Sequence, residues 1–197
     1  MLDDLVIKDA LSYLGAKRED NEARALLERV LADYRDVFLP RHLTAFFPVE
    51  ERTPALTFTG TEIYLEGESI RRHFEGATEG LFSAFTLGIA FDKKVRELSL
   101  TRPTESVALN ALGSAYAERK ADELLKEVRA AKEKQGFKTT FRFCPGYGDL
   151  PLSANGMIVS ALAATKKIGL VVTADGLLQP MKSIVGVTAC LPIEQRS

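Results

Sequence analysis

The order of segments in this 197-residue chain points to an α+β architecture: a mainly antiparallel, twisted sheet with helices packed against it. Helical periodicity opens the chain. Short β-prone stretches broken by Pro and Gly follow. One long helical run, about Glu105 to Lys134, then precedes a second β-prone part. Strands and helices do not alternate regularly, so a doubly wound parallel sheet is disfavoured.

Taken in order, Ile7–Leu14 reads as a short helix stopped by Gly15. Asp20 is placed to cap a second, with Ala23, Leu26, Leu27, Val30, Leu31 and Tyr34 on one face and Pro40 at its limit. Between His42 and Leu65, "HLTAFFPV", "ALTFTG" and "EIYLEG" are strand-like. A short helix at Ser69–Phe74, a strand at Leu81–Leu87 and a helix at Ile89–Leu98 come next. The long helix has "ALGSAYA" at its middle, small residues that let a backbone or ligand come close; tight helix–sheet packing around Gly113 is the expected cause. Gly136 closes it. A strand at Lys138–Phe143, a helix at Ser153–Ala164 capped by Ser153, a turn at Asp175-Gly176 and a buried strand in "SIVGVTACL" complete the chain. No repeat or linker divides it, so one domain over residues 1–197 is expected.

Composition narrows the functions. With 26 basic and 27 acidic residues the net charge is −1, which gives no footprint for nucleic acid. Two distant cysteines, Cys144 and Cys190, fit a reducing compartment. His42 and His73 stand in unrelated segments, expected at a sheet edge and on a helix surface, and make no metal site. Glu50-Glu51 and Glu66/Glu68 read as solvated turn residues, and the basic run Arg129 to Lys138 as a solvated helix end. No basic leader and no apolar run near ~18 residues is present, so a cytoplasmic protein without a membrane span is expected.

The chemistry concentrates in "FRFCPGYGDLPLSANG", residues 141–156. Arg142 offers a planar fork of donors for a carboxylate or phosphate. Gly146 and Gly148 free the backbone, and Tyr147 adds an aromatic face and a hydroxyl. An anionic ligand carrying a flat ring would use all three. A structural arginine paired with a nearby acid, under a tyrosine packed over its loop, fits the same residues.

Arg142-Phe143-Cys144-Pro145-Gly146-Tyr147 resembles the Arg-x-x-x-Gly-Tyr signature of the activation (reactivation) domain of cobalamin-dependent methionine synthase. The likeness extends through "GDLPLS", "ATKKIGL" and "VTADGLLQPMKSIVG", and upstream to "LGSAYAERKADEL". It covers about residues 105–190; residues 1–104 match only loosely. The resemblance implies that family's fold, and S-adenosylmethionine as ligand. Arg142 would hold its carboxylate, the backbone at Cys144 would meet its adenine, and Tyr147, set after Gly146 in the turn, would face the cofactor region. Ser114 stands where the family has a glutamate, with Glu118 one turn on as the acid that could serve instead. It also implies an accessory protein serving a methionine synthase that lacks its own activation domain. That partner would carry the cobalamin, and flavodoxin or another one-electron donor would reduce it. A corrinoid-protein cap or chaperone that no longer binds S-adenosylmethionine is the alternative.

Overall fold

The computed structural model describes residues 2–17 and 19–193. Two helices come first, α1 (Leu2–Tyr13) and α2 (Asn21–Asp33); Asp20 caps the second by accepting the Ala23 N–H. Strand β1 (Arg41–Pro48) is followed by β2 (Leu56–Thr57) and β3 (Tyr64–Leu65), which pair with each other. Helix α3 (Glu68–His73), strand β4 (Glu79–Thr86), and helices α4 (Ile89–Thr101) and α5 (Pro103–Glu133) continue the chain. Pro103 opens α5 where its missing N–H costs nothing. Beyond lie β5 (Phe137–Thr139), α6 (Ala154–Ala161) and α7 (Ala164–Ile168). A hairpin of β6 (Val171–Val172) and β7 (Leu178–Gln179) then leads into β8 (Ser183–Pro192).

The main sheet has the order β1-β4-β8-β5, with every neighbouring pair antiparallel. The period of two along β4 and β8 sorts their side chains into two cores. Phe82, Ala84, Val185, Val187 and Ala189 face a core with α6, α7, Phe58 and Phe74. Phe85 and Ile184 face α1, α2, α4 and α5, while Leu81 and Cys190 pack with Leu125 of α5. Both central strands are therefore buried on two faces, which is why "SIVGVTACL" is apolar without alternation. β1 is an edge strand. Leu43, Ala45 and Phe47 turn inward from it, and His42 is exposed on it as expected.

Several elements differ from the sequence expectation. Gly113 does not meet the sheet; a Cβ there would come within 2.2 Å of Phe91 Cζ, so the close packing is helix on helix, α5 against α4. The expected helix at 153–164 is two helices, because Ala163 takes a left-handed φ of 51° between them. Ser153 stands at the N-cap but in a helical conformation, with no side-chain cap bond. Regular pairing of β5 stops at Thr139, not Phe143. Thr140 Oγ1 accepts the Ala189 N–H at 2.9 Å in place of a ladder carbonyl, and Phe143 rejoins β8 through a single bridge to Val187.

In the basic run Lys134 and Lys138 are exposed as expected, but one member is not. Lys132 is buried, donates to both Glu79 carboxylate oxygens at 2.8 and 2.7 Å, and lies 4.2 Å from the Phe46 ring centroid. His73 is half-buried: its Nε2 is 2.7 Å from Thr140 Oγ1, and its ring meets Phe141 and Phe143. Among the described residues no helix is long and apolar enough to cross a membrane.

Candidate ligand-binding site

Residues 144–147 form a tight turn in which the Tyr147 N–H donates to Cys144 O at 3.0 Å. Pro145 fixes the first corner, and Gly146, at φ 94°, takes the second corner that non-glycine residues avoid. Gly148 is needed for a different reason. A Cβ there would lie 2.5 Å from Ser69 Oγ, so its space goes to α3 and not to a ligand. Asp149 fastens the turn to the same helix. It accepts the Glu68 and Ser69 N–H groups at 2.6 and 3.0 Å, which hold its carboxyl below the usual carboxylate range.

A hollow of about 400 Å³ opens beside this turn. Cys144, Pro145 and Tyr147 form one wall, and Glu118 of α5 reaches it from another. Leu152 and Asn155 close the end towards α6. The hairpin and the start of β8 supply Leu177, Leu178, Met181 and Ile184. Tyr147, Leu152, Leu177 and Met181 are exposed, so the rim is apolar and open to solvent. The volume lies within the range of small-molecule sites, roughly 300–1,000 Å³. One carboxylate, apolar walls and an aromatic rim suit a ligand with a cationic group and a flat ring.

Arg142 stands behind this wall, between α5 and the sheet. Its stem lies over Gly186, and its side chain is 10% exposed. Nη2 donates to Glu118 Oε2 at 2.5 Å, and Nη1 is 3.5 Å from Asp122 Oδ1. Both alternatives left open by the sequence thus have a foothold here: the arginine is paired with an acid, and that acid lines the hollow. Burial works against the charge, yet Glu118, the Cys144 thiol and Asp122 together keep the guanidinium's pKa above its ordinary value. Burial also raises the Cys144 thiol, with Arg142 opposing. Tyr147 is raised by its neighbour Cys144 and by burial.

Of the expected site residues, Cys144, Tyr147 and Glu118 line the hollow. Arg142 backs Glu118, and Gly146 shapes the turn with Leu152 in front of it. Ser114, one turn back along α5, accepts a hydrogen bond from Lys182 Nζ at 2.8 Å and is not among the lining residues. Burial lowers the Lys182 pKa against the pull of Asp92, whose own carboxyl burial raises.

Residue-level reading of the sequence missed Lys182, Met181 and Asn155. Asn155 is buried, with its amide donating to Gly176 O at 2.9 Å, so it ties α6 to the hairpin. A polar side chain in an otherwise apolar helix start was its one signal.

The antiparallel order β1-β4-β8-β5, with α5 on one face and α6 on the other, defines an α+β fold in which one sheet lies between two helical layers. Among solved structures, the chain is similar to the crystal structure of the MetH reactivation domain bound to AdoHcy. The TM-score is 0.72 at 15% sequence identity, over 99% of this chain and 77% of that one. At that identity the likeness is one of fold, and it agrees with the architecture expected from the motifs at 105–190. No family model and no curated protein matches the chain.

Proposed function

We propose that the chain binds S-adenosylmethionine in the hollow beside the 144–147 turn. In this reading it serves as an accessory protein for reactivating a cobalamin-dependent methionine synthase. The observation that carries the proposal is the convergence on one hollow of three segments distant in sequence: Glu118 of α5, the turn at Cys144–Tyr147, and Leu177–Val185. The solved relative in fold holds AdoHcy, a ligand of the same class.

The residues fit the ligand by charge and shape. Glu118 suits an ammonium or sulfonium group. Arg142 stands behind the wall on Glu118; on binding it exchanges that bond for the ligand's carboxylate and frees Glu118, while apolar side chains around Tyr147 suit a flat ring. S-adenosylmethionine, when bound, supplies an electrophilic methyl group for a corrinoid carried by the partner. The chain's own part is positioning: it holds the donor, and its exposed rim of Tyr147, Leu152, Leu177 and Met181 is the face to present to that partner.

Calorimetric titration with S-adenosylmethionine tests the binding step. Arg142→Met, which keeps the packed stem, should weaken binding by roughly 10- to 100-fold, since a charge-assisted bond to a carboxylate contributes ~1.5–3 kcal/mol. Equal affinities would remove Arg142 from the site. The partner step is tested by adding the chain, S-adenosylmethionine and a one-electron donor to a methionine synthase lacking an activation domain. Remethylation of its cob(II)alamin no faster than without the chain sinks the accessory role.

One observation favours the second reading, a corrinoid-protein cap without S-adenosylmethionine. Ser114 is engaged by Lys182, and Glu118 by Arg142, so both acid-side positions already have partners within the chain. In that case the titration shows no binding while the partner still co-purifies.

A further inference from the structure

A second hollow, of about 300 Å³, lies further along α5 against the Phe141–Arg142 segment. Its helical wall is Asp122, Leu125, Lys126 and Arg129, whose spacing puts them on one face of α5. Three cations line it against one carboxylate, a formal surplus of two positive charges.

Each arginine is anchored at one nitrogen and keeps at least one other buried without a partner among the described residues. Arg129 Nη2 donates to Thr140 O at 2.9 Å, and Arg142 Nη2 to Glu118 Oε2 at 2.5 Å. Arg129 Nε and Arg142 Nε and Nη1 are buried without a hydrogen-bond partner among the described residues. Asp122 Oδ1, at 3.5 Å from Arg142 Nη1, is near enough to attract it but too far for a good hydrogen bond. Buried charged donors left unpaired oppose folding, and an oxyanion accepting from them relieves that cost.

We propose that this hollow binds a phosphate-class oxyanion, held by Arg129 and Arg142 with Lys126 at the mouth. Glu118, paired with Arg142, offsets one of those charges, so the paired guanidinium forks, more than net charge, select a phosphate-class oxyanion. The guanidinium forks match oxygens of such a group in pairs. Phe141, exposed on the rim and braced by the His73 ring at 4.6 Å, offers a face to a ring carried by the phosphate. The site is separate from the hollow proposed for S-adenosylmethionine, and Arg142 is the one residue near both.

The test is a titration of the full chain with inorganic phosphate and with phenyl phosphate, in chloride buffer, read by calorimetry. Saturable binding is expected, weakened roughly tenfold or more by Arg129→Gln and several-fold by Lys126→Ala. Asp122→Asn should tighten it, a gain that misfolding cannot imitate. Tighter binding of phenyl phosphate identifies a ring-bearing monoester as the ligand, and equal binding identifies free phosphate. Absence of saturable binding by both probes overturns the site. So do affinities unchanged in both Lys126→Ala and Asp122→Asn. Arg142 is left intact throughout, so failure here is independent of the S-adenosylmethionine titration.

Discussion

At Arg142 the aliphatic stem and the charged head have separable roles. The stem crosses Gly186 so closely that a Cβ at that glycine would lie 2.6 Å from Arg142 Cγ. Arg142→Ala removes that contact together with the Glu118 bond, and should cost about 1–3 kcal/mol in a denaturant melt. Arg142→Met should recover most of that stability and none of the ligand affinity. Equal loss in both variants would show that the head, not the stem, supports the fold. His73 makes a second residue-scale prediction. Burial lowers its pKa below the ordinary 6.5, with the Phe141 carbonyl opposing. The folded chain therefore prefers the neutral ring, and its contribution is fully present above the unfolded value. It is lost as pH falls through the lower folded value. Scanning calorimetry should find the melting temperature falling more steeply between about pH 7.5 and 5.5 in the wild type than in His73→Gln. Parallel slopes would mean that the ring titrates alike in both states.

Among the elements, α5 shows how much could be read in advance and where reading stopped. Its periodicity and small-residue stretch were visible, and so was the need for something close at Gly113. What comes close is Phe91 of another helix, a tertiary fact that no local pattern encodes. Gly113→Ala should destabilise by about 1–3 kcal/mol despite alanine's better helix propensity, because a buried ring is the obstacle. Adding Phe91→Leu should restore part of the loss. An unchanged melt for Gly113→Ala would refute this packing. The break between α6 and α7 was invisible for a related reason: Ala163 carries a left-handed φ of 51° that sequence assigns to glycine. Ala163→Gly should stabilise by up to ~1 kcal/mol, read from the same melt. The strand ending early at Thr139 likewise depends on one hydroxyl that accepts a ladder N–H. The turn at 144–147 was legible because Pro-Gly chemistry is local. Its neighbours Glu118, Asn155 and Met181 are brought to it only by the fold.

Over the whole molecule, one sheet separates two cores, and the hollow sits where elements from both meet. Glu118 comes with the α5 side, and Asn155 and Leu178 with the α6 side. A ligand there would bridge the layers, so its binding should stabilise both. A larger hollow of about 660 Å³, lined by Phe47, Glu62, Met157 and Ser160, is the competing location on the same chain. Amide hydrogen exchange with and without S-adenosylhomocysteine separates the two directly. Protection is expected in residues 114–118, 143–147 and 177–185, together with a rise in melting temperature. Protection confined to residues 58–62 and 156–161, or no change anywhere, would contradict the proposed site.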